Sequence, residues 1–356
     1  MISMNRAKLL TSSHLLEELL AKLRAQGLMP SSLRLIGLLG VGNNATVFSA
    51  TIDGVHHVLK VYASKSRMNI ELKHLRKITP PDTQLFIFED EMDSFNFNFF
   101  IIEMPQGWQL KSADLTPARS QSLADQLVWL HRVRFKQQVS VTTLKRRLQQ
   151  CRVALDQIEE LGLDRAKYRK ILNDLRHLLI ENAESFRVQK SRIHGDLWWP
   201  NIVATPDDVY MIDWDEVRRA DAAEDIAKLR IHLWFSKNAF PSRDFFWSAA
   251  DHGTKVATLM RRITTTHQLA FDDNVLLRLR FYLPLYGLHE IAKLAIGGSI
   301  TEPILRSSLY TLLAEDIARL ADNPLAAVVN LRGSEYYGLI KRSRLERLDG
   351  LLDHKH

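Results

Sequence analysis

Residues 194–215, HGDLWWPNIVATPDDVYMIDWD, constrain this chain more than any other stretch. His194, Asp196 and Asn201 stand in an H-x-D-x-x-x-x-N string, and a further acid, Asp213, follows Asn201 by twelve residues. The apolar run 209–212 reads as a short strand that delivers Asp213 at its end. The string alone arises by chance in many proteins. In that bland case His194 and Asp196 would hydrogen-bond a turn, and Asn201 would cap a helix. The second acid behind a strand asks for more: a loop holding a carboxylate and an amide, then a strand returning another carboxylate.

A matching half lies upstream. Three short runs rich in apolar and β-branched residues, 35–39, 46–52 and 55–62, read as strands. Asp53-Gly54 between the last two is a tight-hairpin signal. Between the first two lies Gly40-Val41-Gly42-Asn43-Asn44-Ala45, a loop whose backbone N–H groups can approach phosphates. A strand follows it, so it is not a Rossmann turn, and it lacks the Gly-Lys-Ser/Thr of a Walker loop. Lys60 sits among apolar residues near the end of the third run, a placement that by itself suggests an edge strand. A helix over about 65–77 follows, carrying Glu71, which can reach Lys60 and aim its ammonium at nucleotide phosphates. Residues 95–104 read as the last strand of this half, and Pro105-Gln106-Gly107 breaks the pattern.

These groups suit phosphoryl transfer, which needs an acceptor for the attacking hydroxyl's proton and oxygen ligands for magnesium on the phosphates. Asp196 can serve as the first. Asn201 and Asp213 can serve as the second, being hard oxygen donors.

The segments GVGNNATVF, VLKVY, the Glu71 helix, IIEMPQG, LVWLHRV, HGDLWWPNI and MIDWDEVRRADAAEDIAKL together resemble the aminoglycoside phosphotransferase and choline kinase-like family, the small-molecule branch of the protein-kinase fold. The likeness runs from about residue 37 to residue 230, and its last two segments are the specific ones. It implies an α+β, two-lobed protein-kinase-like fold: a small β-rich N-lobe with one key helix, then a large, mostly helical C-lobe. Residues 1–30 would form an accessory helix, 31–104 the N-lobe and 105–356 the C-lobe, with a basic helical insert at 132–192. The resemblance further implies ATP and Mg2+ as cofactors. Asp196 would be the catalytic acid–base residue, and Asn201 and Asp213 the metal ligands. Lys60 would anchor phosphate with Glu71 as its partner, while His194 and Asp225 would be structural supports. Gly40, Gly42, Asn43, Asn44 and Ala45 would cover the phosphates, and the backbone at Glu103 and Met104 would meet the adenine. Ala45 stands where many kinase loops have a third glycine, Trp199-Pro200 where Pro-Gly is usual, and Ala222 where proline is frequent. None of these departures removes a catalytic side chain.

Charge bears on the acceptor. Residues 132–192 hold fifteen Lys/Arg against seven Asp/Glu, an excess of eight in a chain whose formal net charge is +7. In the resembled family such an insert forms one wall of the acceptor site. A basic wall disfavours polycationic aminoglycosides and favours an anionic acceptor, unless the charges are only a solvated helix face. Trp198 and Trp199 are candidates for stacking on a substrate or holding a cationic group. Trp214 and the leucines at 283, 285 and 288 read as core.

The remaining expectations are brief. Residues from Ser12 or Ser13 onward form a helix with leucines on one face. The single cysteine, Cys151, excludes an intramolecular disulfide and a thiolate zinc cluster. No apolar run approaches the roughly eighteen residues of a bilayer span, and no uninterrupted signal-peptide segment opens the chain, so a cytoplasmic location is expected. The expected partners are ATP and a hydroxyl-bearing small molecule, and nucleic acid is not expected. Two rivals stand beside this reading: a protein Ser/Thr kinase acting as toxin or effector, and a non-catalytic nucleotide-binding scaffold. Against the first, no Ala-Pro-Glu segment follows Asp213.

Overall fold

The computed structural model describes residues 13–41, 45–62, 64–78, 85–92, 95–104, 107–110, 114–156, 165–235, 245–271, 274–296 and 317–325. The chain divides into two compact units, Met1–Trp108 with Asp213–Val217, and Gln109–Ile212 with Arg218–His356.

The first unit opens with α1 (Ser13–Ala25), where Leu16, Leu20 and Leu23 recur at helical spacing and are buried. Gly27 ends it at φ +71°, while Leu28 N–H reaches back to the Leu23 carbonyl at 2.9 Å. This left-handed stop suits glycine, which has no Cβ to clash. Five antiparallel strands follow: β1 (Arg34–Val41), β2 (Ala45–Ile52), β3 (Val55–Tyr62), β4 (Leu85–Met92) and β5 (Phe95–Glu103), in spatial order β1-β2-β3-β5-β4. Asp53 and Gly54, at φ 50° and 81°, close the two-residue turn that pairs Ile52 with Val55. Both positive angles are what such a turn demands. One sheet face packs Phe48, Ala50, Leu59, Val61, Phe99 and Ile101 against the α1 leucines. Each of these side chains larger than alanine contributes about 1.5–3 kcal/mol by leaving water. The strand period of two turns Val58, Lys60 and Tyr62 to the other face, where α2 (Lys65–Ile78) supplies Glu71.

β3 lies inside the sheet, with Lys60 opposite Val47 on one side and Phe100 on the other. This corrects the edge-strand expectation for Lys60. A lysine buried mid-sheet costs free energy unless paired, and the pairing described below meets that cost. β4 had no counterpart in the sequence reading.

The second unit begins with α3 (Pro117–His131). Thr116 caps it, its side chain accepting from Arg119 N–H at 3.2 Å, with Pro117 at the first helical position. Then come β6 (Arg134–Gln138), α4 (Val141–Asp156), α5 (Arg165–Glu181), β7 (Gln189–Ile193), β8 (Ile202–Ala204), β9 (Val209–Met211), β10 (Arg218–Ala220), α6 (Ala222–Phe235), α7 (Phe245–Phe271) and α8 (Val275–Ile296). β7 is central in a sheet ordered β10-β7-β6. α4 begins at Val141, and residues 157–164 after it lie outside the described residues. Phe281, Leu283, Leu285 and Leu288 of α8 are buried, as a core helix requires. Arg278 on that helix meets Asp221 at 3.0 Å with both side chains out of water, which ties α8 to the residue preceding α6.

Trp214 is buried. Cys151 is buried too, and burial pushes its thiol up to about 12. No helix among the described residues is long and apolar enough to cross a membrane. The basic tail at 332–347 and most of the expected helix at 303–320 lie outside the described residues.

Candidate active site

In the first unit, Lys60 Nζ donates to Glu71 Oε2 at 2.8 Å and also to Asp213 Oδ1. Tyr62, two residues along the same strand face, donates its hydroxyl to the same Glu71 oxygen. Burial alone would lower the Lys60 ammonium, but Glu71 and then Asp213 more than offset it and hold it above the ordinary lysine value. Burial pushes the Glu71 carboxyl up, against the pull of Lys60 and the Tyr62 hydroxyl. Burial, then Glu71, raises Tyr62, so it remains a neutral donor. Asp213 has φ 64°, a left-handed conformation that few non-glycine residues adopt. Its carboxylate is 37% exposed, so it remains open to a ligand.

In the second unit, β7 ends at Ile193 and feeds the loop that carries His194, Gly195 and Asp196. Asp225, fully buried in the first turn of α6, organises that loop. Its Oδ2 accepts from His194 N–H at 2.7 Å, and its Oδ1 from Gly195 N–H at 2.9 Å. His131 Nε2 lies 3.2 Å from Oδ2. Burial by itself would raise Asp225, but the His131 hydrogen bond, the His131 and His194 charges and the Gly195 amide hold it below the ordinary carboxylate value. Gly195 takes φ 85°, where a side chain would be strained. The His194 ring bonds the Ile212 carbonyl at 2.9 Å, and Ile212 N–H donates to the Asn201 carbonyl at 2.9 Å. These bonds extend the β8–β9 hairpin, since β9 itself stops at Met211, one residue before the expected strand end.

Asn201 donates Nδ2 to the Asp196 backbone carbonyl at 2.9 Å and to Asp196 Oδ2 at 3.3 Å. With its amide nitrogen committed there, Asn201 presents Oδ1 as its remaining coordinating atom. The Asn201 amide oxygen in the second unit and the Asp213 carboxylate in the first are each hard oxygen donors, the kind that magnesium takes. Among the described residues, no cluster of three or more His, Cys, Asp or Glu forms a self-sufficient metal cage.

The other residues named from sequence fall as follows. Gly40 lies in β1 opposite Val47, and Ala45 opens β2 and is buried. Gly42, Asn43 and Asn44 lie outside the described residues. Glu103 pairs with His57 at the end of β5, and the Met104 amide donates to the His56 carbonyl at 3.1 Å. Trp199 is 6% exposed within a short 3-10 turn, whereas Trp198 is only half-buried.

Tyr62, His131, Arg218, Glu224 and Lys228 escaped the sequence reading. Arg218 Nη1 donates to the Gly195 carbonyl at 3.1 Å, and Lys228 Nζ donates to the same oxygen. The i, i+4 spacing of Glu224 and Lys228 was visible in the sequence, but nothing there said which way they faced.

The phosphotransferase enzyme family model matches residues 39–255. No curated protein matched by sequence. The fold is similar to that of the aminoglycoside phosphotransferase APH(4)-Ia, with 17% identity, a TM-score of 0.56, and coverage of 87% of this chain and 99% of that one. An amicoumacin kinase in complex with AMP-PNP, Ca2+ and Ami is similar at 14% identity and TM-score 0.53, covering 90% and 97%. A choline/ethanolamine kinase family protein from Mesorhizobium loti is similar at 12% identity and TM-score 0.50, covering 84% and 92%. These likenesses show an α+β, protein-kinase-like fold.

Proposed function

The chain belongs to the phosphotransferase enzyme family, and we propose that it transfers the γ-phosphoryl group of ATP to a hydroxyl of a small molecule. The observation that carries this reading is Lys60, buried mid-sheet and bonded to both Glu71 and Asp213. A buried ammonium held between two carboxylates is an expensive arrangement that suits a phosphate anchor. The amicoumacin kinase structure, which holds AMP-PNP and Ca2+, supports a nucleotide and a divalent cation as cofactors.

The roles then follow from the chemistry of each group. Lys60 neutralises phosphate oxygens while Glu71 holds its position. Asp196 accepts the proton of the acceptor hydroxyl as that oxygen bonds to the γ-phosphorus, and the bond to the β-phosphate oxygen breaks to release ADP. Asn201 keeps the Asp196 carboxylate oriented. Asn201 Oδ1 and Asp213 are the ligands assigned to Mg2+, which when bound offsets the charge of the phosphates. The backbone around Gly40–Ala45 and at Glu103–Met104 is assigned to the nucleotide, and half-buried Trp198 is the aromatic residue assigned to the acceptor. We place the reaction in the cytoplasm, with ATP and a hydroxyl-bearing small molecule as its partners.

A protein kinase is the second reading. Only eight residues lie between Asp213 and the start of α6, and β10 occupies three of them, which leaves little chain for a long activation segment. Radiolabelled ATP given to the purified protein with whole lysate decides between the two. Label is expected in the small-molecule fraction; label confined to protein bands would overturn the small-molecule assignment. No label in either fraction would favour a non-catalytic scaffold.

Lys60→Met keeps the aliphatic stem and removes the ammonium. Turnover of ATP is expected to fall by about 10²–10³-fold, the usual cost of losing one charge-stabilising donor. Circular dichroism should be unchanged, because Glu71, already biased towards its neutral form by burial, keeps the Tyr62 hydroxyl as a partner. Turnover within a few-fold of the parent would remove Lys60 from the site.

A further inference from the structure

Two guanidinium groups and a tyrosine hydroxyl meet one carboxylate beside the Asp196 loop. Glu224, buried in the first turn of α6, accepts from Arg218 Nη2 at 2.8 Å and from the Tyr286 hydroxyl at 2.7 Å, and pairs with Arg147 at 3.0 Å. Arg218 and Lys228 then both donate to the carbonyl oxygen of Gly195, the residue before Asp196. Tethering one neutral carbonyl needs one donor; here two cations converge on it. Lys228 Nζ also lies 5.6 Å from the Tyr286 ring centre. Burial, and then Arg218, lowers the Lys228 ammonium below its ordinary value, while Asp196, Asp225 and Glu224 pull the other way. Asp225 is committed to His131 and two loop amides, and Glu224 to two guanidinium groups, so among the described residues neither carboxylate is hydrogen-bonded to Lys228. An ammonium has three N–H donors. Among the described residues, Lys228 spends one on Gly195, and the side chain is only half-buried.

The insert contributes differently from its composition. Three of its surface cations pair with neighbouring acids on exposed helix faces, Arg152 and Arg169 with Asp156 and Lys170 with Asp174. Arg147 instead turns inward to Glu224.

We infer that Lys228, backed by Arg218, seats an anionic group of the acceptor, a phosphate or a carboxylate, next to the hydroxyl that Asp196 deprotonates. This rests on the phosphotransferase reading. An oxyanion at Lys228 could also be the γ-phosphate of the nucleotide. That group already has Lys60 and the metal ligands assigned to it, whereas Lys228 is tethered to the loop that carries the proton-accepting carboxylate.

The test is calorimetric titration of inorganic phosphate into the full chain saturated with AMP-PNP and magnesium, so that the nucleotide's own phosphate positions are filled. Saturable binding is expected, about ten-fold weaker in Lys228→Met for the loss of one charge-assisted hydrogen bond, and recovered in Lys228→Arg. AMP-PNP affinity should not change. No saturable binding, or equal affinity in Lys228→Met, overturns the inference. A loss in AMP-PNP affinity alone would assign Lys228 to the nucleotide and overturn it equally. Should AMP-PNP fail to bind the parent protein, the phosphotransferase reading falls, and titration of the nucleotide-free chain still decides whether Lys228 holds an anion. Lys228→Gln takes the place of Lys228→Met if the latter does not fold.

Discussion

Asp196→Asn is expected to lower turnover by about 10²–10⁴-fold, the range for losing a general base, while AMP-PNP affinity stays within about two-fold. The substitution keeps the size and shape of the side chain. The loop is held through backbone atoms, by Asp225 on the amides of His194 and Gly195 and by Asn201 on the Asp196 carbonyl, so its path should not change. What is lost is the carboxylate proposed to accept the hydroxyl proton. The measurement is acceptor-dependent ADP release, followed beside nucleotide binding on the same preparation. Turnover above about a tenth of the parent value would show that the proton goes elsewhere. Equal losses in binding and turnover would point to a damaged loop instead of a missing base.

Asp225→Ala is expected to damage both stability and activity. It removes the acceptor for two buried backbone amides and for His131. Each donor left unsatisfied costs about 1–3 kcal/mol, so the thermal midpoint should fall by roughly 10 °C or more. Turnover should fall with it even below the new midpoint, because the path through Gly195 that presents Asp196 is no longer held. Asp225→Asn isolates the charge. The folded value of Asp225 lies below its unfolded one, so its contribution to stability is complete above about pH 4 and is lost as pH falls through the lower folded value. The midpoint of the parent should therefore drop towards acid more steeply than that of Asp225→Asn. Parallel acid limbs for the two proteins would mean that Asp225 is not ionised where it lies.

Much of this framework was legible along the chain. Asp53-Gly54 announces its turn because few pairs tolerate two successive positive φ angles. The α1 leucines announce a helix because a 3.6-residue period puts them on one face. The string His194-x-Asp196 and Asn201 is legible because all three residues sit on one short loop. The strand β4 was not, since Leu85–Met92 ends in Glu89, Asp90 and Glu91 and shows no clean alternation. Its place is set by pairing with β5, not by its own pattern. Lys60 suggested an edge strand because a charge amid apolar residues usually needs water; the neighbours that relieve it come from a helix and from a segment 153 residues away.

The sequence by itself determined the order of the candidate site residues, along with the turns and helices whose chemistry is local. Only the tertiary structure decided which charges are balanced. Asp225 finds His131 across 94 positions, Glu224 gathers Arg147, Arg218 and Tyr286, and Lys228 turns towards Gly195. The reason is physical. Local periodicity follows from backbone geometry that every residue carries. The cost of a buried charge depends instead on what packing brings within about 3 Å of it, and no neighbour in sequence specifies that.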